Sequence, residues 1–288
     1  MMHRRDLLNT AVTVGAASVI GCQSAQAADS PRLPAKIIDT NVSLFQWPFR
    51  RLPLDDVGRL VKKLQTLSIT QAWAGSFEGL LHRDITSVNE RLAQACRPHP
   101  ELIPIGSINP TLPDWEDDLR HCIEQHKMRG IRLHPNYHSY SLADPRFGQI
   151  LQRATAAGIL IQIAVAMEDT RTQHPMMGVA DVDLEPLAGW MQNNTAAKVQ
   201  LLNWRPTAAQ LDRLAKIPGA YFDTARVEGT DGVAKLMRSV PAGRVMFGTH
   251  APFLIPEAAL IRTGESDLSE QEIRSLMWET AQAMLAPV

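Results

Sequence analysis

The sequence predicts an α/β protein folded as a closed (β/α)8 TIM barrel, a single domain behind an N-terminal signal segment. Three observations carry that prediction. Five strand-like runs each close on polar residues, at positions 37–43, 130–135, 160–164, 199–203 and 244–250. These runs alternate with segments of helical period, the order in which a parallel barrel is wound. No glycine-rich dinucleotide loop follows the first run, which argues against a doubly wound nucleotide-binding sheet. At 288 residues, 45% hydrophobic and 20% charged, the chain is long and apolar enough for one large barrel.

Strand 1 is read at 36–40, followed by a loop rich in aromatic residues and arginine, Phe45 to Arg51. Val57, Leu60, Val61 and Leu64 recur at helical spacing, so 55–67 is helix 1. Strand 2 is 70–75, and 85–95 includes helix 2. Strand 3 runs over 102–108 and ends in Asn109-Pro110. Helix 3 starts near Pro113, and the acidic Asp114, Glu116, Asp117 and Asp118 suit the positive end of its dipole. Strand 4 is 131–133, and 145–157 carries helix 4. Strand 5, 159–165, is a nearly unbroken apolar run, as a strand covered on both faces requires. Strands 6, 7 and 8 are 198–202, 220–223 and 244–247. The last helix opens on a capping box, Ser269-x-x-Glu272, with Ile273, Leu276, Met277, Ala281 and Met284 on one face.

Residues 1–27 read as a twin-arginine-type signal, from Arg4-Arg5 followed by an apolar stretch from Ala11 to Ile20. That stretch is too short to span a bilayer. Two exits are open: cleavage after Ala25-Gln26-Ala27, or lipidation of Cys22 in a lipobox-like Val19-Ile20-Gly21-Cys22. The expectation is an exported, periplasmic protein, with a lipid anchor at Cys22 as the alternative. Residues 28–35 are a lead-in, and 36–288 the barrel. Cys96 and Cys122 make no disulfide framework and read as apolar filling. A net charge of −1 gives no reason to expect nucleic acid as a partner, and a small-molecule substrate is expected instead. Nothing in the sequence specifies the oligomeric state.

The block LIPIGSINP, its acidic helix and the GIRLHP that follows (102–135), with the order of the strand ends, resemble the amidohydrolase superfamily in its amidohydrolase-related branch. The likeness extends over nearly the whole barrel. It implies a metal held by an Asp-x-His-x-His strand, later strand-end histidines and a final aspartate. The matching positions here are Asn41, Ser43, Ala164, Asn203 and His250, so most of that ligand set is replaced. No tightly bound cofactor is therefore expected. A divalent metal such as zinc remains open only at a relocated site built from Glu168, Asp169, His174 or His250, which are residue types that ligate metals.

Alternation along strand 4 puts Arg132 and His134 on one face, and the resemblance places that face at the barrel mouth. His250 stands where the family keeps its proton-accepting aspartate, and imidazole can do acid–base work near neutral pH. Asp223, ending strand 7, is a further candidate base or a salt-bridge partner for Arg226. His250, His134 and Asp223 are thus the catalytic candidates. Arg132, Asn203, Asn41, Arg171 and His138 are the candidates for holding substrate. For Arg171 the alternative is a pair with Asp169 or Glu168 that merely orders its loop.

The function implied is an exported hydrolase acting on a small polar, anionic lactone, ester or amide, without need of a metal. Two alternatives stand beside it: a decarboxylase or other lyase on the same barrel, and a non-catalytic ligand-binding protein derived from the enzyme fold.

Overall fold

A computed structural model describes residues 33–285. The signal segment, Cys22 and the two exits, with most of the lead-in, lie outside the described residues. β1 (Ile37–Leu44) is buried along its whole length. Parallel to it runs β2 (Ile69–Ser76), which pairs in turn with β3 (Leu102–Pro104). β4 (Gly106–Ser107) continues β3 past Ile105, whose N–H still reaches Ala74 O at 2.8 Å. From β4 the parallel order continues through β5 (Gly130–Leu133), β6 (Leu160–Ala164), β7 (Val199–Leu202), β8 (Ala220–Asp223) and β9 (Val245–Met246). The seam between β9 and β1 is closed by Thr40 N–H to Phe247 O at 2.9 Å and Ser43 N–H to Ala251 O at 2.8 Å. With β3 and β4 counted as one stave, the sheet is the predicted eight-stranded barrel.

Helices 1 to 4 and the last helix form where the sequence places them, and four more lie between them. α1 (Val57–Thr66) is capped by Asp56, and α2 (Ile85–Cys96) by Asp84. α3 (Trp115–Arg120) carries its acidic first turn and then widens into a π turn over His121–Gln125, which periodicity does not foretell. α4 (Pro145–Ala156) starts with proline behind the Asp144 cap. α5 (Leu187–Gln192), α6 (Ala208–Ala215), α7 (Gly232–Ser239) and α8 (Pro256–Gly264) complete the outer ring. The Ser269 capping box opens α9 (Glu270–Arg274). No described helix is long and apolar enough to cross a membrane. Cys96 and Cys122 are free and buried, as expected of apolar filling.

Three layers fill the barrel. Ile38, Trp73, Ile105, Leu160 and Met246 form an apolar floor. Above it lies a polar belt. Gln162 Nε2 donates to Thr40 O and to Gln200 Oε1, both at 2.8 Å, and Gln200 Nε2 donates to Thr40 Oγ1 at 2.7 Å. Arg132 joins this belt through Nε to Gln162 Oε1 at 2.9 Å. The third layer is a roof. Trp47, from the loop after β1, is 2% exposed and packs edge-on against Phe49, Phe77, Tyr137 and Phe253. Ala164 and Met167 belong to the same cluster.

Candidate active site

The strand ends converge between belt and roof. Asn41 Nδ2 donates to Asn203 Oδ1 at 2.8 Å and to Asp223 Oδ2 at 2.7 Å, while Asn203 N–H donates to Asp223 Oδ1 at 3.1 Å. Asn203 Nδ2 donates to Ala166 O at 2.8 Å and stands 3.4 Å from His250 Nδ1. Asn41, Asn203, Asp223 and His250, drawn from four strand ends, thus form one connected network. Gly248 makes the approach feasible: a Cβ there would lie 3.0 Å from Asp223 Oδ2 and 3.1 Å from Asn41 Cβ. Asn203 and His250 both sit at φ +58°, a region uncommon for residues other than glycine and often held at functional sites.

His250 is locked. A carbonyl oxygen only accepts, so His250 Nε2, 2.9 Å from Met167 O, carries the proton and donates. Its ring stacks on Phe253 at 4.9 Å. Burial pushes its pKa down to about 3, the Met167 carbonyl opposing, so the ring is neutral at ordinary pH. Asp223 is moved the other way. Burial lifts its carboxyl to about 6, against the lowering effect of the Asn41 and Asn203 hydrogen bonds. Asp39, which the sequence reading passed over, is lifted to about 7 by burial although it accepts from Thr249 Oγ1 at 2.5 Å and from Thr249 and Asn41 N–H at 3.0 Å.

Arg132 and His134 share one face, as alternation predicts, and that face points inward, as the resemblance implies. The Arg132 guanidinium lies against Gly75, where a Cβ would be 2.7 Å from Nη1, and Nη1 donates to Val42 O and Ser43 Oγ at 3.0 Å each. Most of its donors therefore serve the barrel, and Nη2 is left buried without a partner. Burial lowers its pKa to about 10. His134 Nδ1 is also buried and unpartnered, and burial beside His138, Arg132 and His250 holds that ring well below the usual imidazole range. His138 is not a solvated loop residue. It is buried, Nε2 donates to Gly79 O at 2.8 Å, and its pKa falls to about 4.

The loop after β6 does not assemble as a metal site. Glu168 is buried in an ion pair with Arg50. Asp169 accepts from Arg171 at 2.8 and 2.9 Å, and Arg171, 82% exposed, points out of the mouth and orders its loop. His174 is exposed, accepting Met176 N–H at 3.2 Å. Among the described residues no three His, Cys, Asp or Glu side chains gather as a ligand set. Each acid has instead been neutralised by a neighbouring guanidinium.

A cavity of about 560 Å³ opens at the mouth. His250 and Phe253 lie on its wall with Arg50, Arg205, Arg226 and Arg262. A second cavity, about 360 Å³, lies beside it and is lined by Asp223 and the stacked pair Trp204 and Phe222. Arg205, Arg226 and Glu228 line both. The sequence reading missed Gln162 and Gln200 of the belt. A polar residue at an inward position of an otherwise apolar strand was the available signal.

Against known families, a family model described as amidohydrolase matches residues 76–286. The chain belongs to the amidohydrolase family. The match begins at the last residue of β2, so Asn41 and Ser43 precede it. A search of curated proteins found no match to this amidohydrolase-family chain. Solved structures similar to it include 5-carboxyvanillate decarboxylase LigW from Sphingomonas paucimobilis, with TM-score 0.70 and 12% identity over 88% of this chain and 99% of that one. The 2,6-dihydroxybenzoate decarboxylase from Rhizobium gives TM-score 0.68 at 10% identity, over 87% and 98%. A dihydroxybenzoic acid decarboxylase from Polaromonas sp. JS666, solved with manganese and the inhibitor 2-nitroresorcinol, gives 0.64 at 13%, over 87% and 96%. At these identities the likeness establishes the barrel fold.

Proposed function

We propose that this amidohydrolase-family protein is a lyase that decarboxylates a small carboxylic acid, with Asp223 rather than His250 moving the proton. The observation that carries the reading is the pair of adjoining cavities at the barrel mouth, one of about 560 Å³ walled by arginines and one of about 360 Å³ lined by Asp223, which share Arg205 and Arg226. Guanidinium groups match carboxylates in shape and charge. The likeness to aromatic acid decarboxylases supports the lyase alternative better than the hydrolase first expected.

Asp223 has the acid–base properties the step needs. A proton donor works best when its pKa lies near the working pH, and about 6 meets that condition where about 3 for His250 does not. Protonated Asp223 gives its proton to the carbon bearing the substrate carboxylate. The bond from that carbon to the carboxylate breaks, carbon dioxide leaves, and the bonding pair stays on carbon to complete the new C–H bond. Asp223 is left ionised and is reprotonated from water.

Manganese is bound in the Polaromonas enzyme. The residues here do not fit such an ion. Asn41 Nδ2 donates to Asn203 Oδ1 and Asp223 Oδ2, Asn203 Nδ2 donates to Ala166 O, Ala164 has no ligating atom, and the Arg132 guanidinium abuts Ser43. The proposed step therefore runs without it.

Family membership keeps the hydrolase as a second reading. The two are separated by incubating chelator-treated protein with panels of hydroxybenzoic acids and of anionic lactones and esters, while following carbon dioxide and acid release separately. Carbon dioxide release that survives chelation is expected. Acid release without carbon dioxide would establish the hydrolase, and tight anion binding with neither would establish a binding protein.

A further inference from the structure

Among the described residues, Arg226 is the arginine of the mouth that makes no hydrogen bond to the protein. Its side chain is 9% exposed, and its nearest carboxylate, Asp169, is 3.7 Å away. Asp169 is already engaged by Arg171 on both oxygens, and Arg205 Nη1 reaches it at 3.3 Å. Arg205 is shared in turn with Glu228. Three guanidinium groups thus meet Asp169 and Glu228, with Asp181 adding a further negative charge near Arg226, which alone of the three hydrogen-bonds to no carboxylate. Burial and the neighbouring charge of Arg205 both disfavour its cationic form. Arg262 adds a fourth positive charge on the same wall, with Nη1 on Val227 O, Nη2 on Ala225 O and Nε buried without a partner.

A guanidinium with a 9% exposed side chain and N–H groups that make no protein hydrogen bond is a ready partner for an anion. Arg226 lies on the wall common to both cavities, so its free donors face space that a ligand can enter. Phe253 and His250 border one side and the Trp204–Phe222 stack the other.

We infer that Arg226 is the anchor for an acidic group of the ligand, and that Asp169 occupies its place when the ligand is absent. The inference rests on the proposed function and extends it. A carboxylate held by a guanidinium is stabilised against becoming neutral carbon dioxide. The group on Arg226 is therefore the one that stays on the product, and the ligand carries a second acidic group for the reaction.

The test is calorimetric titration of the full chain with benzoate and with phthalate, a one-acid and a two-acid probe. Arg226→Gln should weaken phthalate binding about 10–100-fold, the range a charge-assisted contact supplies. Arg226→Lys, which keeps the charge, should fall between that variant and the parent. Asp169→Asn, which removes the competing carboxylate while Arg226 stays intact, should tighten binding several-fold. That variant keeps the inference testable should Arg226→Gln unfold.

Unchanged phthalate affinity in folded Arg226→Gln, or failure of the parent to bind either probe, overturns the anchor. An Asp169→Asn variant that binds no more tightly than the parent overturns the part assigned to Asp169. These readings are independent of turnover. Carbon dioxide release with an indifferent Arg226 would leave the decarboxylase standing without this anchor, and Arg226-dependent binding without any release would do the reverse.

Discussion

Asn41 donates to Asp223 across the barrel at 2.7 Å, with its second amide hydrogen on Asn203 at 2.8 Å. The contact holds the Asp223 carboxylate in its ionised form against the desolvation that raises its pKa. Asn41→Ala should push that pKa further up, so activity that needs protonated Asp223 should persist to higher pH than in the parent. A pH profile of turnover checks this, and a falling limb that does not move would break the link.

Asp223→Asn removes the proposed proton donor while keeping a side chain of nearly the same size. Turnover should drop by roughly 10²–10⁴-fold, the usual contribution of a positioned acid. Because the acid form is the working form, the parent's rate should fall as pH rises through about 6. Substrate affinity, measured separately, should change little.

Trp47 closes the roof over the strand ends and is 2% exposed. Trp47→Ala should cost about 3–5 kcal/mol, the range for emptying a buried aromatic site. Urea unfolding measures the loss, and Trp47→Phe should recover a large part of it. A Trp47→Ala variant as stable as the parent would mean that the roof contributes little to the fold.

Asp39 ties β1 to Thr249 beyond β9 while its own pKa is lifted to about 7. Its folded value lies above the unfolded one, so the folded state binds the extra proton between about pH 4 and 7. Stability from this group is therefore lost as pH rises through that window. Asp39→Asn, which cannot ionise, should gain on the parent between pH 5 and pH 8. The gain should be on the order of a few kcal/mol by paired urea titrations.

The barrel staves were readable because apolar runs and helical spacing are local patterns. The strand at 159–165 appears as β6, Leu160–Ala164, and the Ser269 capping box forms as written. Alternation put Arg132 and His134 on one face and the family resemblance turned that face inward, where both are buried. The charged loop was harder to read. Sequence shows Glu168, Asp169, Arg171 and His174 close together, but not that Arg50 would claim Glu168 or that Arg171 would turn outward with Asp169. Those pairings depend on side chains brought in from elsewhere in the chain.

By itself the sequence determined the barrel, the order of its staves and the strand ends at which polar residues would meet, since periodicity and capping act within a few residues. Only the tertiary structure decided what those residues are. Burial made His250 a weak base and Asp223 a group near neutrality, and it left Arg226 short of a partner. Desolvation and pairing belong to the space around a side chain, and that space is built by residues distant in sequence.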